Sequence, residues 1–238
     1  MSRAAKATVE NLLLSALPKD EYDRLKPQLD PVRLSKGQVL HEAGEQVRNA
    51  YFLTSGMVSL LSGTSEGETV QVAMVGSEGI VGLSGIARVN QSPYLAEAQL
   101  PSTALRIKTE ALRIQSKRAG ELQELLCCYA QTLVTQIAQS VVCNLFHQTE
   151  QRLARWLLLT HDRGGGKQFA LTHEEIAHML GVSRSGVSTA AGALQRQGLV
   201  RYARGRLTVL DRRGLEAAAC ECYQTIHEDL SCFLNSRA

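Results

Sequence analysis

The chain has 238 residues, 44% hydrophobic and 21% charged, a balance that excludes disordered and fibrous proteins and leaves room for two ordinary domains. Its net charge of +3 is unevenly spread: residues 41–110 hold seven acids against four basic residues, net −3, whereas residues 183–213 hold seven arginines against Asp211 alone, net +6. A basic segment beside a mildly acidic one predicts a nucleic-acid-binding module attached to a domain with another task.

At the N-terminus, Thr8 is placed to cap a helix over 9–16, and Pro18 and Pro27 punctuate the stretch after it. The first fifteen residues hold no long apolar stretch, so no secretory signal is read and a cytoplasmic protein is expected. From Val32 to Ile107 short apolar and β-branched runs alternate with glycines, for example Tyr51-Phe52-Leu53, Gly56, Met57–Leu61 and Gly63. Strands of this length with turn signals at this spacing predict an all-β sandwich or barrel.

From Leu122 to Phe146 glycine and proline vanish and apolar residues fall at helical spacing. Leu122, Leu126, Tyr129 and Leu133 form one stripe, continued by Gln136, Ser140 and Cys143. Ala130, Val134, Ile137, Val141 and Leu145 form a second. Two apolar stripes need two covers, and a homodimer with a coiled-coil-like seam supplies one of them. The expected interface is Leu122, Leu126, Tyr129, Leu133, Gln136, Ile137 and Ser140; an ordinary buried helix in a monomer is the alternative. A further helix is expected over 149–160, with Arg152 reaching solvent and Leu153, Trp156 and Leu157 facing inward. Runs such as Trp156–Leu159 are too short to span a bilayer, so no membrane partner is expected. The Gly164-Gly165-Gly166-Lys167 turn lacks the Gly-Lys-Ser/Thr end of a phosphate loop and reads as plain loop.

Residues 171–210 carry the most specific pattern, LTHEEIAHMLGVSRSGVSTAAGALQRQGLVRYARGRLTVL. Thr172 and Glu175 have capping-box spacing, Ile176, Ala177 and Leu180 make a buried face, and Gly181 ends the helix. Ser183 caps a second helix whose Val187, Ala190, Ala191 and Leu194 face inward, and Gly198 closes it. That is a helix-turn-helix, and two short strands about Ala203-Arg204-Gly205 add a wing. The second helix then turns Arg184, Ser185, Ser188 and Thr189 outward as candidate base contacts. Thr172, His173, Ser183, Arg201, Arg204 and Arg206 are candidate phosphate contacts, which give affinity without sequence information.

With these residues in view, nearly the whole chain resembles the Crp–Fnr family of bacterial transcription regulators. LSKGQVLHEAGEQVRNAYFLTSGMVSLL (34–61) is similar to the family's cyclic-nucleotide-binding-type β-roll, the long helix to its dimerisation helix, and His147-Gln148 to its interdomain hinge. The resemblance implies an α+β protein: a jelly-roll-like N-terminal β-roll (1–118), a dimerisation helix and hinge (119–147), and a C-terminal winged helix-turn-helix with a final helix (148–238). It implies a homodimeric regulator, with no enzymatic activity, that binds double-stranded DNA at an inverted repeat, with RNA polymerase left open as a further partner. Family members that bind cyclic AMP carry a Gly-Glu pair and an Arg-Ser/Thr dipeptide for the cyclic phosphate. The matching stretch here, GSEGIVGLSGIARVNQSPYLAEA (76–98), has Gln91-Ser92-Pro93 at that position, with Arg88 as a substitute only if the loop rearranges. No tight cyclic-nucleotide binding is expected, no cofactor is predicted, and the effector stays unidentified. A redox or small-molecule sensor acting through protein contacts is the alternative function.

The family's iron–sulfur members place cysteines near the N-terminus, where this chain has none before Cys127. Cys127, Cys128, Cys143, Cys220, Cys222 and Cys232 are expected to be free structural thiols. A four-ligand cluster drawn from them would need convergence in space. The histidines show no His-x-x-x-His spacing and the cysteines no Cys-x-x-Cys, so no metal ligand is assigned.

Overall fold

A computed structural model describes residues 11–235, apart from 88–89, 119, 165 and 167. Thr8, Val9 and Arg88 lie outside the described residues. The first described helix, α1 (Leu12–Ser15), is capped by Asn11, whose amide also donates to the Leu53 and Gly79 carbonyls at 2.8 Å each. After α2 (Lys19–Leu25) come eight strands: β1 (Asp30–Leu34), β2 (Val39–His41), β3 (Asn49–Ser55), β4 (Val58–Gly63), β5 (Thr69–Val75), β6 (Ile80–Val81), β7 (Leu95–Ala98) and β8 (Ser102–Lys108). They form two antiparallel four-stranded sheets, ordered β1-β8-β3-β6 and β2-β7-β4-β5. The expected β-domain is a two-sheet roll whose inward Phe52, Leu53, Val58, Leu60, Ala73 and Ile80 share one core.

Helix α3 (Thr109–Ser116) leads into α4 (Glu121–Phe146), which takes the expected span. Which face it buries differs from expectation. Leu122, Leu126, Tyr129, Leu133, Gln136 and Ser140 are buried within the chain's own core, and Ile137 packs at its edge. Six of the seven expected interface residues are thus buried within this chain, and Ile137 is half-buried. Tyr129 presses on Gly79, where a Cβ would come within 2.0 Å of its hydroxyl. The Gln136 amide accepts from Met74 N–H at 2.7 Å and donates back to the Met74 carbonyl at 3.3 Å. A polar side chain buried in this way loses no hydrogen bonding. Val134, Val141, Leu145 and Phe146, at 56%, 55%, 72% and 75% exposure, make the open stripe instead. Of the described helices, α4 alone is long and apolar enough to cross a membrane, with a mean hydropathy of 1.3, although the expectation from shorter apolar runs was otherwise. Its buried polar Gln136 and Ser140 and its packing on the sheets make it a core helix.

The C-terminal part comprises α5 (Thr149–Gly164), β9 (Gln168–Ala170), α6 (His173–Leu180), α7 (Arg184–Arg196), β10 (Val200–Ala203), β11 (Arg206–Val209), α8 (Arg212–Ala218) and α9 (Cys222–Asn235). The three strands pair as β10-β11-β9, so the wing has a third strand that the sequence pattern did not suggest. Arg152 is buried, not solvated: it donates to the Leu180 carbonyl at the end of α6. Helix α9, grouped by sequence with the winged helix, packs Leu230 and Phe233 against the core under α4, and Phe233 meets the Tyr129 ring at 6.4 Å.

One hydrophobic cluster crosses between the two halves. Met57, Leu61 and Met74 of the roll pack with Leu153, Trp156 and Leu157 of α5 and the interior of the helix-turn-helix. Trp156 Nε1 donates to Gln71 Oε1 at 2.6 Å, and Arg163 Nε donates to Glu78 Oε1 at 2.7 Å.

Candidate nucleic-acid interface

The helix-turn-helix forms where its local signals put it. Thr172 Oγ1 accepts from Glu175 N–H while the Glu175 carboxylate accepts from Thr172 N–H, a complete capping box. Gly181 takes φ 60°, the left-handed conformation that lets α6 stop and the chain turn. Ser183 Oγ accepts from Gly186 N–H and starts α7. Ile176, Ala177, Leu180, Val187, Ala190, Ala191 and Leu194 are all buried. With that face fixed inward, Arg184, Ser185, Ser188 and Thr189 are exposed together on the N-terminal half of α7. Arg184 has only a loose contact with Glu174 at 3.9 Å, both side chains largely in water.

In the wing, Ala203 pairs with Arg206 across a two-residue turn. Arg204 and Gly205 both take positive φ, 50° and 71°, as the primed hairpin turns require. Arg201, Arg204 and Arg206 are exposed and make no ion pair among the described residues. Tyr202 joins wing to helices: its hydroxyl donates to the Leu171 carbonyl at 3.0 Å and its N–H to Gln195 Oε1 at 2.8 Å.

His173, a candidate phosphate contact, is half-buried and engaged within the chain. Its ring stacks on Tyr202 with centroids 4.2 Å apart, Nδ1 lies 2.9 Å from Ser188 Oγ, and Nε2 is buried. Neither nitrogen is turned to a ligand. Burial, helped by the nearby Arg184 charge, holds the imidazole below its usual pKa, so it stays neutral at physiological pH. It serves as a strut between wing and α7. Thr172 and Ser183 stay exposed at helix starts, with their hydroxyls already engaged as caps.

The back of α6 rests on the β-roll through residues the sequence did not single out. Lys36 Nζ meets Glu175 Oε1 at 2.6 Å and donates to the Ala170 carbonyl at 2.8 Å. Burial raises the Glu175 carboxyl, but hydrogen bonds from Lys36 and Thr172 outweigh it and hold the group below its usual pKa. His178 Nε2 meets Thr69 Oγ1, and Gly181 lies against Val70. Between the roll and α4 a cavity of about 240 Å³ is lined by His41, Leu60, Tyr94, Leu133 and Ile137, with no arginine or lysine among the described residues that line it. Ser92, aligned with the dipeptide that cyclic-AMP-binding members use for the cyclic phosphate, donates to the Tyr94 carbonyl at 2.6 Å.

The sequence reading also missed a convergence at the junction of the two halves: Cys143, His147, Cys220 and Cys222 come together. A Cys-x-x-x-His pair on the last turn of α4 puts two donors on one helix face, and that spacing was the available signal. Cys127 and Cys232 are exposed and apart from this group, and Cys128 is half-buried.

Comparison with known proteins agrees with this architecture. Residues 31–118 match the family model described as a cyclic nucleotide-binding domain, and residues 151–218 match the Crp-like helix-turn-helix domain. The chain is 23% identical over 203 residues to the fumarate and nitrate reduction regulatory protein of Vibrio cholerae serotype O1, covering 82% of this chain and 80% of that one. It is 28% identical over 182 residues to the transcriptional regulator SdrP of Thermus thermophilus, covering 71% of this chain and 83% of that one. A crystal structure of a Crp/Fnr-family regulator from Eubacterium rectale superposes with a TM-score of 0.69 at 22% identity, covering 87% of this chain and 96% of that one.

Proposed function

The chain belongs to the Crp–Fnr family of transcription regulators and reads DNA through its helix-turn-helix, and from that premise we propose a cytoplasmic homodimer that binds an inverted repeat. Helix α7 enters the major groove with Arg184, Ser185, Ser188 and Thr189 toward the bases, and Arg201, Arg204 and Arg206 of the wing grip phosphate. Two such helices related by a two-fold axis read half-sites about 34–36 Å apart. The dimer forms along the exposed stripe of α4.

The observation that carries this reading is the joint exposure of Arg184 and three unpaired wing arginines on one segment of net charge +6. The β-roll is the sensor, and its signal is one other than cyclic AMP. Two features support that exclusion: the cavity beside α4 has no cationic lining among the described residues, and Ser92 is bound to its own loop. An uncompensated buried phosphate there would be costly.

Selection of the purified protein against a random duplex library, at moderate salt and without added ligand, tests the proposal. An enriched inverted repeat supports it and supplies the operator. A lone half-site would sink the dimer. No enrichment, with or without cell extract, would sink DNA reading by this chain. On the selected operator, Arg184→Ala should weaken binding by about 1–3 kcal/mol and relax preference at one base position. Equal loss on every sequence would make Arg184 a phosphate contact. Arg204→Ala should weaken binding uniformly and reduce the slope of log affinity against log salt by about one. An unchanged slope would take the wing off the DNA.

A further inference from the structure

We propose that Cys143, His147, Cys220 and Cys222 form a binding site for one thiophilic divalent cation of the zinc type, clasping the end of α4 to the start of α9.

The donor atoms of these four side chains all lie within 4.8 Å of one another. Cys143 Sγ stands 3.5 Å from Cys220 Sγ, and Cys222 Sγ stands 3.6 Å from His147 Nδ1. Zinc bonds of about 2.3 Å to sulfur and about 2.0–2.1 Å to nitrogen place tetrahedral donors about 3.5–3.8 Å apart. These two pairs already stand at that spacing, with room for one ion and too little for a multi-iron cluster. The three cysteines are buried and form a cluster of their own, separate from both main cores.

The surroundings complete the site. His147 turns Nδ1 toward the sulfurs and Nε2 toward Glu221 Oε1, 3.1 Å away. A carboxylate on the far nitrogen is the arrangement that orients metal-bound imidazoles and raises their basicity. Cys220 Sγ accepts from the Cys222 N–H. Three thiolates, a neutral imidazole and a divalent ion leave one net negative charge. Arg155 is buried beside the cluster and makes no ion pair with a carboxylate among the described residues. Its Nε is buried without a hydrogen-bond partner. A buried guanidinium with no carboxylate is costly, and an anionic metal site beside it removes that cost. A disulfide between Cys143 and Cys220 would use two of the four donors and explain neither the orientation of His147 nor the place of Arg155.

Because His147 ends α4 and α5 begins at Thr149, the ion sits across the hinge. Binding displaces the protons held by the thiols and ties the hinge into one geometry. The site is independent of the DNA-binding proposal and is tested without DNA.

The test is titration of reduced, chelator-stripped full-length protein with Co²⁺, followed by absorbance, then displacement by Zn²⁺. The expected result is one Co²⁺ per chain, with the intense visible bands of a tetrahedral ion and a thiolate-to-cobalt charge-transfer band, all removed by one equivalent of Zn²⁺. Cys220→Ser should diminish the charge-transfer band. Glu221→Gln, on the exposed side of the ring and harmless to the core, should weaken affinity about 10–100-fold. Cys127→Ser should change nothing. A weak octahedral spectrum in the wild-type protein, or a Cys220→Ser variant with native circular dichroism and an unchanged spectrum, would overturn the assignment. The wild-type spectrum decides even if the cysteine variant fails to fold.

Discussion

Leu145→Asp is expected to leave a folded chain that no longer pairs. Leu145 is 72% exposed on α4 and follows Val134, Ala138 and Val141 at the alternating four-and-three spacing of a two-stranded seam. Burying one leucine against a partner is worth about 1.5–3 kcal/mol. A two-fold axis loses it twice, so the dissociation constant should rise at least about a hundredfold, at 1.4 kcal/mol per decade. Sedimentation velocity across a concentration series measures this. A dimer as tight as wild type would place the interface elsewhere. Leu133 is the wrong residue for this test, because it lies in the chain's own core and its replacement would report on folding.

Arg163→Met is expected to destabilise the protein by about 3–5 kcal/mol, because it strands the Glu78 carboxylate away from water. The pair is 2.7 Å apart, with side-chain exposures of 4% and 8%. Glu78 also accepts from Gly76 N–H at 3.1 Å, but a neutral donor does not replace the guanidinium. The double variant Glu78→Gln with Arg163→Met should recover most of the loss, since the penalty belongs to the unpaired charge. Denaturant unfolding of the wild type, the single variant and the double variant gives the comparison. A single variant within about 1 kcal/mol of wild type would mean that the pair behaves as a solvated one.

What was legible in the sequence was what is decided locally. The capping box at Thr172, the stop at Gly181, the cap at Ser183 and the glycine turn of the wing each involve neighbours in the chain, and each formed as expected. The glycine-punctuated β-region and the span of α4 were legible for the same reason. Which stripe of α4 faces inward was not, because periodicity counts faces without naming their partners. Gln136 read as a weak interface residue until its amide met the Met74 backbone 62 residues away. Arg152 read as solvated until α6 brought the Leu180 carbonyl to it. The strut role of His173 needed Tyr202 of the wing. The cysteine cluster needed Cys143 and Cys220, 77 residues apart, to be folded together.

The hydrophobic cluster that runs from Met57 and Met74 through Trp156 into the helix-turn-helix has a thermodynamic consequence. The roll and the helix-turn-helix here are not two bodies on a tether; they share an interior, so one cooperative unfolding transition is expected, and two resolved transitions in calorimetry would separate them. Any signal that alters the packing of the roll changes the work of seating α7 in a groove. Under the function proposed above, reciprocity follows: a bound duplex would shift the roll's affinity for its signal by the same factor that the signal shifts affinity for the duplex.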